Sequence, residues 1–191
     1  MKKGLRRQIL TTCTAILLGA LVAKPAFAGP AANDNELLLS AGFFHGQGSD
    51  FSNVNLDLSW GRFLNNPAWQ IGLFQGLNWN IIDHAEDPWA ATTAPFVRYH
   101  FLGISQENRV VPFLGAFLGA VWNDDDITGT LGPEAGLKFF VTDQTFIQTR
   151  YRYEWFFDDF ESAGNQSDDG NHVIAIGIGY VWGGASSDRR G

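Results

Sequence analysis

The sequence predicts an all-β fold, an eight-stranded antiparallel up-and-down transmembrane β-barrel, and three observations carry that prediction. Eight segments alternate with period two, the signature of a strand whose side chains point to opposite faces. The last of them, His172 to Trp182, sets Ile174, Ile176, Ile178, Tyr180 and Trp182 on one face and Val173, Ala175, Gly177, Gly179 and Val181 on the other. Neither face is polar: one is large and apolar, the other nearly bare. A strand with lipid on one side and a crowded barrel interior on the other has this pattern. Finally, six of the seven tryptophans fall near the ends of the segments.

Met1 to Ala28 reads as a secretory signal peptide. Lys2, Lys3, Arg6 and Arg7 form a charged start, Ile9 to Ala23 an apolar stretch, and Ala26-Phe27-Ala28 an A-x-A cleavage site. The unbroken apolar run Ala15 to Ala23 is too short to span a bilayer, which takes about 20 residues in a helix. The expected organisation is a signal peptide over 1–28, a barrel over 29–182 and a short tail over 183–191. Cys13, the chain's one cysteine, leaves with the signal. Disulfides and cysteine-ligated metal are therefore excluded from the mature chain. Beyond residue 28 stand 8 basic and 20 acidic residues, a net charge of −12. That balance disfavours nucleic acid as a partner, and none is expected, because phosphate binding needs clustered Lys and Arg. No later segment is long and apolar enough for a membrane helix. Periplasm, outer membrane and extracellular space remain.

The strands are expected at 36–46, 53–63, 68–81, 92–102, 110–122, 130–141, 145–157 and 172–182. Each reaches the roughly 9–11 residues that a tilted strand needs to cross a bilayer. An even number of antiparallel strands closes without an edge and satisfies every backbone group internally. Asn65-Asn66-Pro67, Ile104 to Arg109 and Thr142-Asp143-Gln144 are expected as short turns. Gly46 to Ser52, Ile82 to Ala91, Asn123 to Gly129 and Asp158 to Asn171 are expected as longer polar loops. Short turns on one side and longer loops on the other are the asymmetry of outer-membrane barrels.

With the N-terminus periplasmic, Trp60, Trp69 and Trp182 fall near the periplasmic ends of their strands, and Trp79, Trp122 and Trp155 near the outer ends. Together with Tyr180 they form two expected interfacial belts, because indole suits the headgroup level. Trp89 is expected in a loop.

The seventh strand gives the faces most clearly. Ile147, Thr149, Tyr151, Tyr153, Trp155 and Phe157 share one side; Gln148, Arg150, Arg152 and Glu154 share the other. The same phase turns Asp57, Arg98, His100, Glu134 and Lys138 inward. An eight-stranded interior is just wide enough for side chains to fill, so these groups are expected to pair with one another. Ala175, Gly177 and Gly179 are expected to leave room for them. The fifth strand stays open, since Phe113/Phe117 and Leu114/Leu118 lie on opposite faces.

At this point the chain resembles the small outer-membrane barrels of the OmpA/OmpX type. The resemblance rests on Val111-Pro112-Phe113-Leu114-Gly115-Ala116-Phe117-Leu118-Gly119-Ala120, on Gly132-Pro133-Glu134-Ala135-Gly136-Leu137-Lys138, and on the aromatic end of the last strand. It implies insertion by the outer-membrane assembly machinery, which reads a final strand such as the one ending in Tyr180 and Trp182. The short tail is far too small for a peptidoglycan-binding domain, so that function is not carried over.

No enzyme is expected. A lipid A deacylase would show a His-x-Ser pair, but His45, His84, His100 and His172 are followed two residues on by Gln, Glu, Leu and Ile. No G-x-S-x-G elbow is present. A lipid A acyltransferase built from loop residues and a narrow porin-like channel stay open as alternatives. The four outer loops hold twelve acidic residues and no Lys or Arg. Hard cations favour such oxygens, and Asp124, Asp125 and Asp126 are weak candidates for loosely bound Ca²⁺ or Mg²⁺; no other cofactor is expected. The expectation is a monomer in the outer membrane of a Gram-negative bacterium, in contact with lipid and lipopolysaccharide. Its role is structural, for envelope integrity, or in surface adhesion and recognition.

Overall fold

The computed structural model describes residues 29–45, 51–82, 89–105, 108–122, 127–157 and 171–183. Eight antiparallel strands follow one another around a closed barrel: β1 (Asp34–His45), β2 (Phe51–Phe63), β3 (Trp69–Ile82), β4 (Trp89–His100), β5 (Val110–Trp122), β6 (Ile127–Phe140), β7 (Thr145–Phe157) and β8 (Asn171–Gly183). Each strand pairs with its sequence neighbours, and β1 closes on β8 with Asn35 opposite Trp182 and Ala41 opposite Ile176. The expected signal peptide, the acidic stretches around Asp50, Asp83, Asp124 to Asp126 and Asp158 to Asp169, and the tail beyond Gly183 lie outside the described residues.

Alternation decides which way each side chain points. Along β8, Ile174, Ile176, Ile178, Tyr180 and Trp182 are exposed on the outside, Ile174 at 72%, while Ala175 and Val181 are buried inside. The same phase runs around the wall through Leu37 and Leu39, Leu56 and Leu58, Ile71 and Leu73, and Ile147 and Tyr151, all exposed. So large a continuous apolar outer surface would aggregate in water; it is the surface a bilayer covers. β5 takes the orientation that alternation alone leaves open. Val111, Phe113 and Phe117 are buried, and Leu114 and Leu118 face out.

Two expectations about the ends are corrected. Trp89 is not in a loop: β4 begins there rather than at residue 92, with Trp89 opposite Trp79. Its indole meets that of Trp122 edge-on, with centroids 5.9 Å apart. Ala90-Ala91, weak strand formers by propensity, are held in the ladder by their partners Asn78 and Leu77. The expected length asymmetry of the connections also fails in part. Four residues separate β5 from β6, whereas nine separate β4 from β5. That nine-residue connection is pinned by Ser105, whose hydroxyl accepts from Val110 N at 2.9 Å and donates to Val110 O at 3.0 Å.

Glycines fit where walls or lumen side chains come close. A side chain at Gly132 would strike the carbonyl of Tyr153 on β7. Gly76 makes room for Asp57 and Gly115 for Arg98 and Glu134. The expectation for β8 is thereby revised. Gly179 leaves space for the Phe146 ring and Gly177 for Ser40, and only Ala175 lies beside a lumen cation, opposite Arg150.

Candidate functional site

The inward faces of β1, β2, β4, β6 and β7 bring eight charged side chains into one line. Lys138 Nζ lies 2.5 Å from Glu36 Oε2. Glu36 Oε1 is 4.0 Å from Arg98 Nη1. Arg98 grips Glu134 with two bonds, Nε to Oε1 at 2.6 Å and Nη2 to Oε2 at 3.0 Å, the fork geometry that favours Arg with a carboxylate. Glu134 Oε2 is 4.0 Å from Arg150 Nη1, and Arg150 donates to Asp57. Asp57 Oδ1 stands 3.8 Å from Arg152 Nη2. Arg152 Nε ends the series 2.6 Å from Glu154 Oε1, a close ion contact. The order is cation, anion, cation, anion throughout, and four of each sign leave the line neutral. Every member is buried.

The seven expected charged members, Asp57, Arg98, Glu134, Lys138, Arg150, Arg152 and Glu154, all stand in this line. His100 does not. Its imidazole is buried, yet neither ring nitrogen has a hydrogen-bond partner among the described residues. It packs between Phe63, at 5.1 Å, and Phe113, at 5.6 Å. The eighth member, Glu36, is the one sequence reasoning missed. Leu37-Leu38-Leu39 blurs the alternation there, because Leu38 is buried and its neighbours are exposed. The usable signal was balance: three carboxylates faced four cations, and a buried cation demands a partner.

The lumen is aromatic as well as charged. Arg98 lies 3.9 Å from the Phe96 centroid and Arg152 4.4 Å from that of Phe74. Lys138 is flanked by Phe146, Phe63 and Phe113 at 5.0–5.6 Å. Cation–π contact of this kind strengthens when desolvated. Toward the β2–β3 turn end, Leu38, Val111, Phe140, Phe146 and Val181 pack as an apolar cluster. Phe74, Ala94, Phe96 and Phe117 form a second one. Rings and ion pairs therefore fill the barrel together, so the interior that the charged faces were expected to fill is aromatic as well as polar.

The expected aromatic belts map to the two ends. Trp60, Trp69, Tyr180 and Trp182 are exposed near the β2–β3 turn end. Trp69 meets Tyr99 edge-on at 5.0 Å, and the Tyr180 hydroxyl donates to Gln144 Oε1 at 3.0 Å. Trp79, Trp122 and Trp155 stand at the opposite end with Trp89, and Trp155 packs on Tyr153 at 4.9 Å. The candidate cation ligands Asp124, Asp125 and Asp126 lie outside the described residues. Among the described residues, no group of three or more His, Cys, Asp or Glu is arranged to hold a metal ion.

No family model matches the chain, and no curated protein does. Solved structures are similar. The N-terminal β-barrel domain of Pseudomonas aeruginosa OprF aligns over 80% of this chain and 100% of its own, with a TM-score of 0.53 and 16% identity. Neisserial surface protein A aligns over 77% of this chain and 94% of its own, also at a TM-score of 0.53 and 16% identity. At that identity the likeness is one of fold. The chain has the closed eight-stranded architecture of the small outer-membrane barrels.

Proposed function

We propose that this chain is a monomeric outer-membrane barrel of a Gram-negative bacterium, with its N-terminus in the periplasm and its lumen sealed. Its work then falls to its surfaces: envelope integrity, or adhesion and recognition through the acidic connections between strands. The observation that carries the reading is the neutral line of eight charges packed between rings. Ions entering such a lumen would have to break buried pairs whose partners are then left uncompensated, at about 3–5 kcal/mol for each broken pair. Loosely held Ca²⁺ or Mg²⁺ at the acidic connections fits this surface role. Against an enzyme stands the lack of a His-x-Ser pair or nucleophile elbow in the sequence.

Two measurements test the proposal. Purified barrel in planar bilayers is expected to give no stepwise conductance, and discrete steps would overturn the seal. Lipid A mass spectra from cells with and without the protein are expected to coincide. A mass change of one acyl chain would replace the structural reading with an enzymatic one.

A further inference from the structure

The alternating line of the lumen ends unevenly. Glu36, Glu134 and Asp57 each stand between two cations. Glu154, the last member, meets Arg152 alone among the described residues. One more cation would continue the alternation. Glu154 also borders a cavity of about 130 Å³ at the Trp155 end of the barrel. That is the liquid share of about four waters, at about 30 Å³ each: room for a small charged head and a short stem, and for little more.

The lining of the cavity is divided. Thr92 on β4 and Asn78 on β3 join Glu154 as its polar part. Asn78 Oδ1 accepts from Asn55 Nδ2 at 3.1 Å, which fixes the amide and leaves that oxygen a second lone pair. Ala90, Val121 and Phe156 supply apolar wall. A carboxylate, a hydroxyl and an amide oxygen match the three N–H donors of an ammonium group, and the apolar wall matches an alkyl stem. A divalent metal fits less well. Ca²⁺ takes about six to eight oxygens, and no three His, Cys, Asp or Glu among the described residues are arranged to hold one. The connections between strands at this end carry twelve acidic residues and no Lys or Arg, a field that draws small cations toward the cavity.

We propose that this cavity binds the ammonium end of a small primary alkylamine, with Glu154 as counter-ion, Thr92 and Asn78 as acceptors, and Ala90, Val121 and Phe156 around the stem. The amine continues the alternation past Glu154. It enters from the Trp155 side, because ion pairs and rings fill the lumen behind Glu154. The site rests on the closed barrel and not on the membrane that surrounds it. Conductance measurements judge the sealed lumen, and amine binding judges only this cavity.

The test is saturation-transfer NMR on the folded full chain in non-ionic detergent at pH 7, with n-butylamine as the probe. Transfer to the butyl methylenes is expected. Tetramethylammonium, which has the charge and no N–H, is expected to bind about tenfold more weakly. Thr92→Val keeps the shape and removes one acceptor, and is expected to weaken butylamine about fivefold, the scale of one hydrogen bond. Glu154→Gln removes the counter-ion and is expected to weaken it about tenfold or more. Val121→Phe fills the cavity with every charge of the line in place and is expected to abolish binding, so the test stands even if Glu154→Gln fails to fold. Ile176→Leu, on the lipid face, is expected to change nothing. Absence of transfer to butylamine, equal affinity for tetramethylammonium, or wild-type affinity in folded Thr92→Val and Val121→Phe would each overturn the proposal. Displacement of the amine by Mg²⁺ at constant ionic strength would overturn it too, and would mark a metal site instead.

Discussion

At Glu36 the carboxylate does two things: it takes the Lys138 ammonium at 2.5 Å and stands 4.0 Å from Arg98. Removing one partner of a buried pair costs about 3–5 kcal/mol, because the other charge is stranded. Glu36→Gln is therefore expected to lower stability by about that much, measured by guanidinium unfolding in micelles. Glu36→Leu with Lys138→Met is expected to recover most of the loss, since an apolar pair strands nothing. If the double variant were as weak as the single, pairing would not be what Lys138 requires. The same residue shows where local patterning stops being informative. Three successive leucines carry no phase of their own; only the charge balance of the whole lumen turns Glu36 inward. His100 shows the converse. Its phase was legible, but whether an inward imidazole joins ions or rings depends on Phe63 and Phe113, which arrive from other strands.

Strands carry two kinds of constraint, set by what each face meets. On β8 the outer face meets lipid, so Ile176→Arg is expected to destabilise by about 2–4 kcal/mol, the cost of a cation near the bilayer midplane. Ile176→Leu is expected to cost under about 1.5 kcal/mol as a volume-conserving exchange. Unfolding in phosphatidylcholine vesicles would compare the two. On β6 the constraint is wall against wall. Gly132→Ala drives a methyl group into the Tyr153 carbonyl, and backbone yields less than a side chain does. A loss of about 1–3 kcal/mol is expected, and a fully stable variant would mean that β6 and β7 separate easily there. The existence of all eight strands was legible because period two survives on the lipid face of each. The start of β4 was not, because Ala90-Ala91 has little strand propensity and is fixed only by pairing with β3. The facing of β5 was likewise undecided, since Phe and Leu are both admissible in lipid and in an aromatic lumen.

For the whole molecule, the decisive relation is between charge and closure. Of the 8 Lys and Arg beyond residue 28, Arg98, Lys138, Arg150 and Arg152 are committed to the lumen, where four acids match them. Among the described residues the charged line of the lumen is thus neutral in itself. Raising ionic strength is expected to leave barrel stability nearly constant, because buried pairs are screened far less than exposed ones. A steep fall in denaturation midpoint between low and high salt would mean that water reaches the line.

That line is also a statement about assembly. Lys138 and Glu36 are 102 residues apart, and Arg150 and Asp57 are 93 apart; they sit on strands that are not neighbours in the sheet. A half-built sheet cannot join them. Its concave side carries unmatched ions that hold water and keep it out of hydrocarbon. Lys138 and Arg150 gain Glu36 and Asp57 only when β1 and β2 face β6 and β7 across the lumen, so the closed cylinder is expected to enter hydrocarbon more readily than its fragments. Fluorescence change and the heat-modifiable band are expected to appear in one step during refolding into vesicles. A refolding trace with separate early and late steps would mean that the cross-lumen pairs do not govern closure.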